Sequence, residues 1–320
     1  MFTIEATAVT PEGRISPGDL GLYDDACEAA LTDALQRARR LAPPIPVALQ
    51  LAHAGRKGSS RAPWEGGQQI PVEAGGWIAQ APSALAHAPG ERAPAALDGR
   101  GVQSTREAFA HAARRADRAG IDALQIHLAH GYLLHEFLSP ISNHRTDEYG
   151  GSRENRMRYP LEVFDAVRAA WPAQKPLGVR LSCSDWIEDG WTLEDSIALA
   201  AELVQRGCDF IDCSSGGVSP QQKIPVSPGY QVPFAREIRR ATGAVTTAVG
   251  LISDPEHAEA IVATHDADMV AMARAVLWDP RWAWHAAHAL GANVAAPQQY
   301  WRGVPRRAAT VFGDVRIGMR

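Results

Sequence analysis

Two histidines and a tyrosine lie within six residues of one another in the segment HLAHGY, at His127, His130 and Tyr132. Imidazole N–H and phenol O–H groups donate hydrogen bonds and also transfer protons in enzymes. A pair of imidazole donors directed at one oxygen atom polarises a carbonyl or nitro group and stabilises the negative charge that develops there. Tyr132 follows closely enough to deliver a proton to carbon, because a phenol with an ordinary pKa of about 10 is protonated at neutral pH.

Two other interpretations of the histidine pair stay open at this point. Histidines in an apolar element are often simply buried residues whose ring nitrogens are satisfied by hydrogen bonds. A metal site is the second alternative, with Glu136 as the nearest extra ligand in sequence. Metal sites need at least one further ligand, and no cluster of Asp or His at the predicted strand ends supplies it. We therefore expect no metal, and a metal-dependent barrel hydrolase is the least favoured hypothesis.

The composition is that of a globular protein with a sizeable core. The chain has 320 residues, of which 46% are hydrophobic and 21% charged, with a net charge of −4. This small charge gives no general attraction to nucleic acid or to an anionic membrane, so we expect a small-molecule partner. No apolar run of membrane-spanning length and no signal peptide is present. The four cysteines show neither CxxC pairing nor zinc-ligand spacing, which favours reduced thiols and a cytoplasmic protein.

Short β-rich runs alternate with amphipathic helical patterns along the whole chain. The predicted strands are residues 2–9, 46–52, 121–128, 176–182, 209–214, 244–250 and 267–272. The predicted helices are residues 25–41, 105–119, 153–171, 193–206, 233–242, 254–264 and 280–290. Residues 104–107, 192–195 and 253–256 have the pattern of an N-terminal capping box, and Gly120, Gly207, Gly243 and Gly291 are placed to end helices.

Repeated βα units predict a parallel sheet with helical crossovers. A doubly wound sheet is disfavoured because no GxGxxG turn follows the first strand. Polar or glycine residues instead end several predicted strands, which is where a (β/α)8 barrel builds its active site: Gln50, His127, Arg180, Cys213, Gly250 and Arg274. We predict an α/β fold of the TIM (β/α)8 barrel type, with seven of the eight βα units visible in the sequence.

The predicted domain organisation is a single barrel domain over residues 1–303. A long loop over residues 56–103, rich in Pro, Gly and Trp, interrupts the alternation, and loops of this length usually cover or shape a site. Residues 304–320 are expected to form a C-terminal tail, for which the sequence suggests no function.

The histidine pair belongs to a longer pattern that resembles a known family. The segment LQIHLAHGYLLHEFLSPISNHRTDEYGGSRENR, residues 124–156, resembles the signature of the Old Yellow Enzyme family, the FMN-dependent ene-reductases. Together with ALQLAHAGRK, residues 48–57, it resembles the thermophilic-like, xenobiotic-reductase branch. Further matching segments, in chain order, are EATAVTPEGRIS, GVRLSCSDW, DFIDCSSGG and ADMVAMARAVLWDP, so that the resemblance runs from about residue 2 to residue 303.

The resemblance implies an FMN cofactor and residues that hold it. Gln50 would bind the pyrimidine edge of the flavin through its amide, and Ala6 would contact the ring through its backbone. Arg180 would lie near N1 and O2, where its charge favours the anionic reduced flavin. The phosphate would be held by backbone amides and a guanidinium in a group that comprises Gly250, Leu251, Ala273 and Arg274.

The resemblance also assigns the substrate-binding residues. His127 and His130 would bind the substrate oxygen, and Tyr132 would be the proton donor. Lys57 would lie near the substrate or the flavin edge. Arg302, in QQYWRG, resembles the C-terminal arginine that this branch inserts into the site of a neighbouring subunit, so a homo-oligomer, either a dimer or a tetramer, is expected.

The implied activity is that of an NADPH dehydrogenase that reduces activated C=C bonds of α,β-unsaturated carbonyl or nitro compounds. Two departures from the family pattern bear on it. Ala273 replaces a glycine that is usual in the family, and no segment matches the family's first strand and first helix. The alternative hypothesis is therefore a truncated copy of the enzyme that is inactive or binds FMN weakly.

Overall fold

The computed structural model describes residues 1–41 and 44–315. Its strands are β1 (Phe2–Ala8), β2 (Val47–Ala52), β3 (Gln80–Ala81), β4 (Ala95–Ala96), β5 (Ala123–Leu128), β6 (Leu177–Ser182), β7 (Phe210–Ser214), β8 (Thr246–Ala248) and β9 (Met269–Val270). Its α-helices are α1 (Asp25–Leu41), α2 (Gly99–Arg118), α3 (Leu133–Leu138), α4 (Arg153–Ala170), α5 (Leu193–Gln205), α6 (Val232–Thr242), α7 (Pro255–Ala263), α8 (Arg274–Trp278) and α9 (Trp282–Ala289).

Seven strands form one curled parallel sheet in the order β1-β2-β5-β6-β7-β8-β9. Each of the seven predicted strands overlaps one strand of this sheet, so the alternation read from the sequence is confirmed. Within the described residues β1 and β9 do not pair with each other, and the sheet is open between them. The sheet is consistent with a (β/α)8 barrel.

The central strands of the sheet are covered on both faces, as is typical of parallel strands. Every residue of β2, β5 and β7 is buried. Helices pack on the outer face, where α2 contacts α4, α4 contacts α5 and α5 contacts α6. One large apolar cluster fills the space between sheet and helices, and its largest fully buried members are Trp191, Tyr159, Phe109, Phe137 and Phe164. The strand ends are therefore held by a continuous core.

Helix starts differ in detail from the predicted capping boxes. The predicted box at residues 192–195 is confirmed, with Thr192 and Asp195 each bonding the other's backbone amide. The box at residues 104–107 is wrong, because Asp98 caps α2 and residues 104–107 lie inside the helix. The box at residues 253–256 is displaced by one residue, since Asp254 is the cap and accepts from the amide of His257.

Two short helices and one small sheet were not predicted. Helix α3 follows the His127 strand directly and is buried along its whole length. Helix α8 begins at Arg274, immediately after the last strand. In the long loop, which ends where α2 begins, β3 and β4 pair as a separate two-stranded parallel sheet. The loop therefore contains ordered structure, and β3 contacts α3.

The C-terminal segment packs against the last helix. Ala308 and Val311 are buried against Ala287 of α9, in a small cluster separate from the main core. The last five residues of the predicted tail, 316–320, lie outside the described residues. No helix in the described part of the chain combines the length and the apolar character needed to cross a membrane.

Candidate active site

Several of the predicted site residues come together at the carboxyl edge of the sheet. Gln50, His127 and Arg180 lie at or near the ends of β2, β5 and β6. The strand register places His127 opposite Arg180, and Arg180 opposite Asp212 of β7. Parallel strands all end on the same side, so residues separated by more than 50 positions in sequence lie close together. The surface formed by Gln50, His127 and Arg180 at these strand ends is called the mouth.

His127 and His130 lie side by side in this mouth. Their ring centroids are 5.1 Å apart and the ring planes are nearly perpendicular, at 89°. His130 has a left-handed backbone conformation, with φ of 61°, which turns the chain back towards the strand end. Its backbone N–H donates to Ser182 Oγ at 2.9 Å, and this bond from the end of β6 fixes the turn.

Both imidazoles are held neutral. Burial lowers the pKa of His127 well below its usual value, and the nearby Arg180 charge lowers it further. Burial also lowers the pKa of His130, with a further contribution from His127. His127 Nδ1 accepts from the amide of Ala129 at 3.2 Å, which assigns the ring proton to Nε2. His130 Nε2 lies 2.7 Å from Ser214 Oγ. A neutral imidazole carries one N–H group, so neither ring needs a charge to donate, and in His130 the Nε2 atom is engaged with Ser214.

Tyr132 lies next to His127 and completes the group. Its ring centroid lies 5.0 Å from that of His127 in an edge-to-face arrangement. Burial raises the pKa of Tyr132 to about 12, and the carboxylates of Asp19 and Glu5 add to the shift. The phenol is therefore protonated throughout the physiological pH range and is a donor rather than a base.

Lys57 lies beside His130 and Tyr132. Its Nζ donates to the backbone carbonyls of His130 at 3.0 Å and Gly217 at 3.3 Å, and lies 4.9 Å from the centre of the Tyr132 ring. Burial lowers the pKa of Lys57, while the buried carboxyl of Glu136 opposes that change. The ammonium group thus joins the turn that carries His130 to the loop that follows β7.

Arg180 and Gln50 are connected by two residues that the sequence analysis did not single out. Asp212 Oδ2 lies 3.4 Å from Arg180 Nε and accepts from Gln125 Nε2 at 3.4 Å. Gln125 Oε1 in turn accepts from Gln50 Nε2 at 2.5 Å. Both residues carried a signal in the sequence, since each is polar, lies within an otherwise apolar strand and occupies an inward position. Ser214 and Ser182, which bond His130, were also missed.

The residues predicted to hold a phosphate lie at the ends of the last two strands. Gly250 and Leu251 follow β8 and both have positive φ, 122° and 51°. Ala273 precedes α8 and Arg274 is its first residue. The Arg274 side chain is exposed and forms no hydrogen bond or ion pair with any other described residue. Backbone amides and an unpaired guanidinium are therefore present where an anion would be bound.

The remaining two predicted residues, Ala6 and Arg302, lie in different parts of the structure. Ala6 lies in a register irregularity of β1 and lines the same small cavity as Tyr132. Bulges of this kind are common next to active sites. Arg302 lies in the 3-10 helix Gln298–Gly303 and is exposed, and within this single chain its side chain contacts none of the other site residues by a hydrogen bond or an ion pair.

A second layer of buried polar groups supports α3 behind the histidine pair. His135 Nδ1 accepts from the amide of Gly131 at 2.8 Å, and His135 Nε2 lies 2.9 Å from a carboxylate oxygen of Asp185. Glu136 accepts from the amide of Arg56 at 2.8 Å, and burial raises the pKa of Glu136 to about 8. Across residues 1–41 and 44–315, no group of three or more His, Cys, Asp or Glu side chains has the arrangement of a metal site.

Comparisons with known proteins agree with the geometry. The model of the NADH:flavin oxidoreductase / NADH oxidase family matches residues 1–293. An NADPH dehydrogenase from Geobacillus thermodenitrificans (strain NG80-2) is 43% identical over 303 residues, covering 95% of this chain and 83% of that protein. An NADPH dehydrogenase from Bacillus subtilis (strain 168) is 42% identical over 303 residues, covering 95% and 84%.

Solved structures give the same result. Morphinone reductase in complex with tetrahydroNAD superposes with a TM-score of 0.72 at 28% identity, covering 92% of this chain and 79% of that one. A 2-naphthoyl-CoA reductase superposes with a TM-score of 0.74 at 25% identity, covering 87% and 43%. The predicted resemblance to the Old Yellow Enzyme family is confirmed, as are the predictions of an enzyme and of FMN as its cofactor. The chain is therefore an oxidoreductase that belongs to the NADH:flavin oxidoreductase / NADH oxidase family.

Proposed function

We propose that this protein is an NADPH-dependent ene-reductase that uses FMN to reduce the activated C=C bond of α,β-unsaturated carbonyl or nitro compounds. The observation that carries the proposal is the arrangement of two neutral, buried imidazoles, His127 and His130, next to a buried phenol, Tyr132. The names of the relatives, NADPH dehydrogenases, support NADPH as the reductant.

The residues at the mouth fit FMN. Gln50 uses one amide proton to reach Gln125 and has its carbonyl oxygen and second amide proton left for the pyrimidine edge. Arg180 Nε faces Asp212 Oδ2 at 3.4 Å, whereas the terminal guanidinium nitrogens form no hydrogen bond with the described residues and are therefore available to a ligand. We assign the contact of Ala6 to the ring, and the phosphate to the group of Gly250, Leu251, Ala273 and Arg274.

When bound, FMN supplies the hydride that is taken from NADPH and given to the substrate carbon. His127 and His130 bind the substrate oxygen through their N–H groups and polarise the conjugated system. Because both imidazoles are neutral, the bond strengthens as negative charge grows on that oxygen, without proton transfer from the rings. Tyr132 holds the proton that is delivered to the α-carbon of the substrate's C=C bond.

Lys57 acts in this scheme by holding its neighbours. Its bonds to the carbonyls of His130 and Gly217 keep the imidazole-bearing turn in place, and its charge lies against the Tyr132 ring. Ala273 retains its backbone N–H, so its methyl group is compatible with a phosphate contact through that amide.

We further propose that the single domain, residues 1–303, is a (β/α)8 barrel of which this chain forms seven βα units, with residues 304–320 as an appended tail. The oligomer is a dimer or a tetramer in which Arg302 reaches the mouth of a neighbouring subunit. All four cysteines are unpaired, and Cys183 and Cys213 are buried, which supports a cytoplasmic location.

The test of the function is the double variant His127→Ala/His130→Ala. Removing one donor to a developing oxyanion typically costs about 10²- to 10³-fold in kcat, so we expect enone reduction to fall at least about 100-fold. Flavin absorbance of the purified variant must show that FMN is still bound. His111→Ala, on the exposed surface of α2, is the matched control and should leave the rate unchanged. Equal rates of enone reduction in the double variant and in the wild type would contradict the proposal.

The alternative is a copy of the enzyme that binds FMN weakly or not at all. The observation that favours it is the open sheet, in which the described strands β1 and β9 remain unpaired with each other. The two hypotheses separate on one measurement. Purified protein that stays colourless after incubation with excess FMN and gel filtration supports the inactive copy, and yellow protein supports the ene-reductase.

A further inference from the structure

A continuous row of four polar side chains crosses the interior of the sheet at the level of the histidine pair. Gln50 donates to Gln125, Gln125 donates to Asp212, and Arg180 lies against the same oxygen of Asp212. The two ends of the row, Gln50 and Arg180, are residues proposed to hold the flavin. The two middle residues, Gln125 and Asp212, have no role in the proposed mechanism.

Burial makes this row costly to maintain. Gln50, Gln125 and Asp212 are only 5%, 6% and 5% exposed. The second oxygen of Asp212, Oδ1, has no hydrogen-bond partner among the described residues. Apolar side chains of similar volume commonly serve a protein interior at least as well as a buried ionic group. Stability alone therefore does not account for a carboxylate and two amides at these positions. A role in binding at the mouth of the sheet accounts for them.

The row has a defined direction because a carboxylate only accepts hydrogen bonds. Gln125 must present Nε2 to Asp212, which leaves its Oε1 to accept from Gln50 Nε2. The amide orientation of Gln50 follows from that bond. A neutral side chain at position 212 that both donates and accepts would leave the two amides free to exchange their oxygen and nitrogen positions.

The row also places a negative charge next to Arg180. Asp212 is the ion-pair partner of Arg180 among the described residues, with Nε and Oδ2 3.4 Å apart. Coulombic interactions are strong in a buried environment of low effective dielectric constant. The Asp212 carboxylate therefore offsets part of the positive charge that Arg180 offers to a ligand.

We propose that Asp212, acting directly on Arg180 and through Gln125 on Gln50, is a positioning residue that sets both the hydrogen-bonding direction and the net charge of the flavin site. The inference rests on the proposed function, since it concerns the FMN site of the same mouth. Asp212 does not contact the reacting atoms in this scheme.

The test is Asp212→Asn, which keeps the shape of the side chain and removes its charge. With the oxygen acceptor retained beside Arg180, the guanidinium charge acts on the flavin without compensation and favours the anionic reduced form. We expect the ratio of affinities for reduced and oxidised FMN to rise about tenfold, which is a positive shift of about 30 mV in the two-electron midpoint potential. The potential is measured by anaerobic titration with a reference dye. An unchanged or more negative potential overturns the proposal.

Asp209→Asn is the matched control. It makes the same charge change at the opposite end of the β7 region, where the Asp209 side chain is half exposed and pairs with Arg168 at 3.3 Å. We expect its potential to equal that of the wild type. A shift as large as that of Asp212→Asn would attribute the effect to overall charge and overturn the positioning role.

Gln125→Leu provides a second measurement that does not depend on the folding of Asp212→Asn. It interrupts the row while leaving the Arg180–Asp212 pair intact, so we expect FMN to bind about tenfold more weakly, as followed by quenching of flavin fluorescence. Unchanged affinity in this variant overturns the proposed action on Gln50. Wild-type protein that binds no FMN refutes the proposed function itself. Wild-type protein that binds FMN, with variants of unchanged affinity and potential, refutes only the positioning role of Asp212.

Discussion

Burial sets the protonation state of each residue that we propose to act on the substrate. The same loss of solvent lowers the pKa of His127 and His130 and raises the pKa of Tyr132 to about 12. All three groups are therefore neutral hydrogen-bond donors over one wide pH range. Neutral donors stabilise a developing negative charge without first having to be charged or discharged themselves.

A pH profile follows from these shifts. Protonation of the imidazoles requires a pH well below their usual pKa of about 6.5, and loss of the Tyr132 proton requires a pH near 12. We expect the rate at which an enone reoxidises the reduced enzyme to be constant from about pH 6.5 to about pH 10, as measured by stopped-flow absorbance. A decline between pH 8 and pH 9 would contradict the raised pKa of the phenol.

Tyr132→Phe should lower the rate of enone reduction about 10²-fold or more at every pH in this range.

At the scale of elements, the site depends on two turns that touch. Gly131 follows β5 with φ of 69°, and Gly217 follows β7 with φ of 96°. A Cβ atom on Gly131 would lie 2.1 Å from the carbonyl oxygen of Gly217, and one on Gly217 would lie 2.4 Å from the backbone of His130. The contact is between backbones, so no side-chain rotation relieves it. The approach of the two turns fixes the position of His130.

Gly131→Ala should therefore disrupt both stability and activity. The substitution adds the cost of a left-handed conformation, about 1–2 kcal/mol, to a backbone clash that displaces the His130 turn. We expect a lower Tm and a fall of at least about tenfold in enone reduction. Gly243→Ala is the matched control, because it has φ of 71° but no atom within 4 Å of the added Cβ. Equal effects on rate in the two variants would show that the contact between turns is unimportant.

At the scale of the whole molecule, the residues assigned to the ligand are spread across the main sheet. The residues assigned to the flavin ring lie on β1, β2 and β6, and those assigned to the phosphate follow β8 and β9. Arg302 is the exception. It is exposed, and within the described residues its side chain forms no hydrogen bond or ion pair with the residues assigned to the flavin. Its proposed role therefore requires a second subunit.

The oligomer proposal leads to a separable prediction. Light scattering should give the mass of a dimer or a tetramer, and Arg302→Ala should raise the KM for the enone several-fold without changing the Tm, because an exposed side chain contributes little to folding. Arg306→Ala, also exposed in the same C-terminal region, is the control and should change neither quantity. A monomer with unaltered KM in the Arg302 variant would refute the arrangement.

Local patterns were sufficient to predict the framework of the fold and to single out the histidine pair and Tyr132 as candidates. The alternation of apolar runs and amphipathic segments predicted the seven strands of the main sheet, because side-chain periodicity is a local property of each element. Glycines at positions 120, 207, 243 and 291 were predicted to follow helices, and all four have positive φ. The histidine pair and Tyr132 were found for the same reason, since they are close in sequence.

Only the tertiary structure decided which distant side chains meet. The bond between Gln125 and Asp212 joins residues 87 positions apart, and Ser214 reaches His130 across 84 positions. The start of α2 was likewise missed, since Asp98 caps the helix and residues 104–107, which have a capping pattern, lie inside it. Periodicity determines which face of a strand is buried, whereas the pairing of polar groups on that face depends on strand register, and register is a property of the assembled sheet.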